Sequence, residues 1–232
     1  MNKSCLRAVV LLVVFVGLQG GSSQGDLSDL MVYGTYDFYC ITNNDPLNAI
    51  VGEEQLSVDV ANGGNEVTFI FNNVGLTDCA VMDVYFDDGT LLNMIGLIDN
   101  DDGVGGDPEV DFSQYADPPD LPGGDSIFPQ FETTVGFSAD ADTPRPTFWA
   151  VSPGEQLGVV FSLRQISDNP PVYGTVHDVI DELNDGTLRI GIHLQSIGSG
   201  NGSEAYVNNI PEPTTMCLLG LGGLALLRRR KG

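Results

Sequence analysis

The chain has 232 residues, 42% of them hydrophobic, with 32 Asp and Glu against 9 Lys and Arg and a formal net charge of −23. Between Asp26 and Asn209 the only basic side chains are Arg145, Arg164 and Arg189, whereas 31 of the 32 acidic residues lie there, so this stretch carries −28. Such a surface repels phosphate backbones, which excludes nucleic-acid binding, and the apolar content excludes global disorder and suits one domain.

Lys3 and Arg7 precede an apolar run from Ala8 to Leu18, which gives way to the small and polar stretch Gln19 to Gly25. A positive start, a short apolar run and a small-residue exit read as a secretory signal peptide over residues 1–24. The domain is expected over 25–209.

Period-two alternation then dominates. Tyr33 to Ile41 is a first candidate strand. Leu56, Val58 and Val60 alternate with Ser57, Asp59 and Ala61; Gly63-Gly64 turns the chain into Val67, Phe69 and Phe71, which predicts a hairpin. Met82, Val84 and Phe86 alternate with polar neighbours, and Asp88-Gly89 before Leu91 to Ile98 predicts a second hairpin. Asp99 to Glu132, rich in Asp, Pro and Gly, reads as one long surface excursion. Further strands are expected at Thr133 to Ser138, Gln156 to Arg164, Leu188 to Ile197 and Ala205 to Asn208. One helix interrupts them: Thr175 caps it, Val176, Val179, Ile180 and Leu183 recur at helical spacing, and Asn184-Asp185-Gly186 stops it. The expected fold is therefore all-β, an antiparallel sandwich of jelly-roll type with one short helix.

Cys40 and Cys79, each beside a predicted strand, can pair in an exported setting, closing a loop worth on the order of 4 kcal/mol in the chain-entropy model. His177 falls on the polar side of the helix. His193 shares a strand face with Arg189 and Gln195, and both histidines read as solvated. Gly198 to Ser203 does not fit a nucleophile elbow, whose Ser needs Gly two residues to either side. No phosphate loop, dinucleotide fingerprint or zinc motif is present, so no enzyme activity is expected. The only candidate cofactor is Ca²⁺, a hard cation that takes several oxygens from a flexible loop, with Asp99, Asp101, Asp102, Asp107 and Asp111 as its ligands.

The chain closes with Pro211, Glu212 and Pro213, a short apolar segment expected as a helix from Met216 to Leu227, and Arg228, Arg229, Arg230 and Lys231. Twelve residues at 1.5 Å cover roughly 18 Å, short of the roughly 30 Å hydrocarbon core. The basic cluster would act as the membrane stop on the cytoplasmic side. These three parts, in this order over 210–232, resemble the PEP-CTERM sorting signal of Gram-negative and planctomycete-type bacteria. The resemblance implies recognition of Pro211, Glu212 and Pro213 by exosortase, an integral-membrane transpeptidase-like enzyme. It also implies transient anchoring in the inner membrane and delivery to the envelope, the cell surface or the medium. VGLTDCAVMDVYFDDGTLL, SPGEQLGVVFSL and DGTLRIGIHLQSIGSGNGSEAYVNN resemble an ectodomain type recurring among such proteins, which implies export and a β-rich fold.

The expected function is that of a non-enzymatic cell-surface or extracellular-matrix protein, with exopolysaccharide as a partner implied by the family's association with its producers. Two alternatives stand beside it. A carbohydrate-binding module would need an aromatic platform, for which Tyr115, Phe148, Trp149 and Tyr173 are available. A glycoside hydrolase would need two carboxylates converging in a cleft.

Overall fold

The computed structural model describes residues 27, 30–64, 66–98, 110–142, 146–200 and 202–210. The signal peptide, the sorting tripeptide with its apolar segment and basic cluster, and Asp99, Asp101, Asp102 and Asp107 lie outside the described residues. In chain order the elements are β1 (Met31–Cys40), α1 (Pro46–Gln55), β2 (Leu56–Asn62), β3 (Glu66–Asn73), β4 (Ala80–Asp87), β5 (Leu92–Ile98), β6 (Phe112–Gln114), β7 (Ser138–Ala141) and α2 (Pro146–Trp149). There follow β8 (Gln156–Leu163), β9 (Gln165–Asp168), β10 (Pro171–Tyr173), α3 (Val176–Asp185), β11 (Arg189–Ile197) and β12 (Gly202–Asn208).

Ten strands form one antiparallel sheet in the order β5-β8-β3-β2-β1-β12-β11-β4-β7-β6, and β9 and β10 form a separate hairpin. The large sheet curls about β1, whose residues 31–37 pair with β2 and whose residues 38–40 pair with β12. Leaf A is β5-β8-β3-β2-β1 and leaf B is β1-β12-β11-β4-β7-β6. Their inner faces meet in an aromatic core: Phe86 of β4 lies 4.8 Å from Phe161 of β8 and 5.1 Å from Phe69 of β3, ring centre to ring centre. Tilted and edge-on rings at this spacing pack favourably, and each buried ring contributes about 2–3 kcal/mol. The expected all-β antiparallel architecture is thus present as two facing leaves of one curled sheet.

The β2–β3 hairpin forms as expected, in unbroken register from Leu56↔Asn73 to Asn62↔Val67. The Asp88-Gly89 hairpin does not: β4 pairs with β11 and β7, and β5 pairs with β8 in the other leaf. The turn is a crossover tied down elsewhere, with the Thr90 hydroxyl donating to Glu182 at 2.6 Å and Arg164 N–H donating to the Leu91 carbonyl at 2.7 Å. Period two reports that a strand has two unlike faces. It does not report which strand is its neighbour.

Helix α3 has the capping box of Thr175 and Asp178 and ends on Gly186 in the left-handed region at φ 80°. Its buried Val176, Val179 and Leu183 join the main core. Helix α1 was not expected. Asp45 caps it by accepting from Leu47 N–H at 2.9 Å, and Pro46 opens it. Its buried stripe is Ala49, Gly52 and Gln55, too small and polar to show as apolar periodicity.

The second half of the supposed surface excursion folds back over the outer face of leaf B. Leu121 and Phe131 are buried there against Tyr85, Ala205 and Val207. They fit because β11 carries Gly191 beneath them, where a Cβ would lie 2.6 Å from Leu121 and 3.1 Å from Phe131. The outer face of leaf A carries a polar ladder instead. Thr35 donates to Asp59 at 2.5 Å, Asn72 to Asp59 at 3.0 Å, and Gln156 to Asn72 at 2.6 Å.

Candidate functional site

The strand register of leaf B sets one row of side chains on its outer face: Ala205 opposite His193, His193 opposite Asp83, Asp83 opposite Asp140, and Asp140 opposite Ser113. Ser203, two residues along β12 from Ala205, points to the same face. His193 Nδ1 lies 2.7 Å from an Asp83 carboxylate oxygen, and His193 Nε2 lies 2.8 Å from the Ser203 hydroxyl. Asp83 is 4% exposed and His193 8%, whereas Ser203 is exposed.

His193 does share its face with Arg189, as its strand parity predicts, but neither side chain is solvated. Arg189 is buried under residues 129–131, donating to the Pro129 carbonyl at 2.7 Å, to the Gln130 carbonyl and to Asp87. Its guanidinium also sits 5.3 Å from the centre of the Phe131 ring. The reading of His193 as a solvated side chain is therefore corrected. Asp83 is 110 residues away in sequence and enters only through the β4–β11 pairing. His177, in α3, packs edge-on to Tyr33 at 5.3 Å.

Carboxyl groups crowd the same row. Burial pushes the Asp83 carboxyl above the ordinary range, opposed by its hydrogen bond to His193. Asp140 is pushed up to about 6, first by burial and then by the charges of Asp83 and Asp142. Asp111, the one expected calcium ligand within the described residues, is raised first by burial and then by Asp142. Among the described residues no three His, Cys, Asp or Glu side chains are grouped to hold a metal ion.

The expected disulfide is absent: Cys40 and Cys79 are free thiols. Each has its own polar company. Gln55 Nε2 donates to Cys79 Sγ at 2.7 Å, and Cys40 Sγ receives Asn43 N–H at 3.3 Å while facing Glu204 at 3.5 Å. Burial raises both thiols above their ordinary value. Glu204, buried beside Ser203, accepts from the Thr42 hydroxyl at 2.6 Å and from Asn44 and Asp45 N–H at 2.9 and 2.7 Å. Burial pushes this carboxyl up, but those donors outweigh it and hold it low.

The candidate aromatics lie on separate elements: Tyr115 after β6, Phe148 and Trp149 in α2, and Tyr173 in β10. A cavity of about 320 Å³ opens in the covering segment, lined by Asp120, Leu121, Asp125, Gln130, Phe131, Glu132 and Thr133. Neither Ser203 nor His193 belongs to it. Among the described residues no helix is long and apolar enough to cross a membrane.

Comparison with known families places the PEP-CTERM protein-sorting motif at residues 209–231. No curated protein and no solved structure matches the chain. The motif directs exosortase-dependent sorting of exported proteins to the cell envelope or surface. It begins at Asn209, one residue after the last residue of β12.

Proposed function

We propose that this PEP-CTERM-bearing chain is a cell-surface or extracellular-matrix protein, carried out by its N-terminal signal, held briefly at the inner membrane by its C-terminal segment and released or attached after exosortase processing. The observation that carries the reading is the sorting motif at residues 209–231. The charge distribution supports it: the basic clusters sit at the two addressing ends, and the domain left between them carries −28. A surface of that sign stays soluble outside the cell and repels polyanions at low salt, so a partner exopolysaccharide would be neutral or bridged by divalent cations. This role needs no turnover of a substrate.

The test uses the full chain with an epitope inserted at the exposed Gly64 turn. Wild type should appear shortened outside the inner membrane. The variant with Pro211, Glu212 and Pro213 all replaced by Ala should remain full-length in the membrane fraction. Normal shortening and delivery of that variant would sink the reading.

A further inference from the structure

Asp83, His193 and Ser203 stand in the order and through the atoms that an acid, a base and a hydroxyl nucleophile require. With Nδ1–H donated to the Asp83 carboxylate, Nε2 has its lone pair free to accept the Ser203 proton. Exposure separates the members: Asp83 and His193 are buried, and Ser203 is an exposed residue. The backbone around the serine is pinned, since Asn44 Nδ2 donates to the Ser203 carbonyl at 2.8 Å and the neighbouring Glu204 is fixed by Thr42, Asn44 and Asp45. A nucleophile so held has already lost the rotational freedom that a free surface serine would have to give up. Such a constellation is recognised by geometry and role and not by residue order, which is why the absent Gly-x-Ser-x-Gly pattern does not exclude it.

We propose that Ser203 is a nucleophile activated by His193, with Asp83 as its positioning residue, acting on short neutral acyl esters. The hydroxyl oxygen attacks the ester carbonyl carbon while its proton passes to His193 Nε2. The carbon–oxygen bond to the alcohol breaks, and His193 returns the proton to the departing alkoxide. Water then repeats the sequence on the acyl-serine, so ester and water become acid and alcohol. The substrate class follows from the surroundings. Ser203 is exposed and lies outside the 320 Å³ cavity, so the site suits a small acyl group carried on a large open substrate. The domain's charge of −28 disfavours anionic carriers.

The full chain treated with a fluorophosphonate should form a covalent adduct on Ser203, located by peptide mass spectrometry and lost in Ser203→Ala. His193→Gln, checked for an unchanged melting temperature, should slow adduct formation by about 100-fold or more, the scale of general-base assistance. A wild-type measurement keeps the proposal exposed if that variant does not fold. The labelling of wild type should be slower in D2O than in H2O, because the serine proton is in flight to His193 Nε2 while the serine oxygen attacks. No adduct on Ser203, a rate unchanged in folded His193→Gln, or equal rates in D2O and H2O would each overturn it. p-Nitrophenyl acetate supplies the turnover readout, with Ser203→Ala as background. None of these outcomes touches the sorting motif, so the export reading stands or falls separately.

Discussion

The two leaves of the sheet present outer faces built from different chemistry. Leaf A crosses four strands with a hydroxyl, one carboxylate and two amides, Thr35-Asp59-Asn72-Gln156, joined edge to edge. Leaf B crosses five strands with His193, Asp83 and Asp140 between Ala205 and Ser113, and the same outer face carries Arg189 under a folded-back segment. Three of the four groups in the leaf A ladder are amides or hydroxyls, which keep the same charge at any physiological pH, so that ladder serves chiefly to hold strands in register. A row of ionisable groups can exchange protons, and its stability depends on which of them are charged. The difference teaches that the row of adjoining ionisable groups belongs to leaf B, although both leaves read as ordinary alternating strands.

The largest expected effect comes from the anchor of the covering segment. Arg189→Met would leave Asp87 partly buried without its partner and release two loop carbonyls, a loss of about 3–5 kcal/mol typical of a broken buried ion pair. Urea unfolding measures it, and a loss under about 1 kcal/mol would mean that the segment over leaf B does not depend on the arginine. The matching change on leaf A, Asn72→Leu, removes donors to Asp59 and the Ile70 carbonyl and an acceptor for Gln156. About 1–2 kcal/mol is expected, equal at pH 6 and pH 8. A cost that varied with pH would erase the contrast between the leaves.

The smallest effect is the most diagnostic. Because the folded Asp140 carboxyl is raised from 3.8 to about 6, folding favours its protonated form. That contribution is complete below about pH 4 and is lost as pH rises through 6. Asp140→Asn should therefore match wild type in melting temperature near pH 4 and exceed it at pH 7. After discounting for solvent screening, the gain is about 1 kcal/mol. An Asn variant with no advantage at pH 7 would show that Asp140 is relaxed by water.

Much of leaf A and the capped helix could be read from the chain, because Val58, Val60, Phe69 and Phe71 alternate cleanly and Thr175 and Gly186 bound one apolar stripe. Leaf B was harder. Its strand β4 is buried on both faces, from Ala80 through Phe86, so alternation there could not tell an inner side from a covered outer one. The signal for the covering layer was present as Leu121 and Phe131 within a stretch rich in Asp, Pro and Gly, two large apolar residues opposite a strand glycine. His193 could be assigned to its face but not to its company, since Asp83 meets it only through a pairing of strands distant in sequence. Ser203, ten residues from His193, has Asn201 and Ala205 where a nucleophile elbow has glycines, so no local spacing marks its contact with the imidazole.

The last strand gives the sorting signal a very short leash. β12 is an interior strand between β1 and β11; Asn208 accepts from Ile190 N–H at 2.7 Å, Asn209 N–H donates to the Asp37 carbonyl at 2.7 Å, and Ile210 reaches the end of α3 beside Gly186. The folded body thus extends to the residue before Pro211. Fully stretched, the chain from Ile210 to Met216 spans roughly 20 Å, less than the width of the domain it would hold. Any enzyme that grips Pro211 to Pro213 must therefore work against the domain's own flank, or must seize the chain before its final strand has zipped into place.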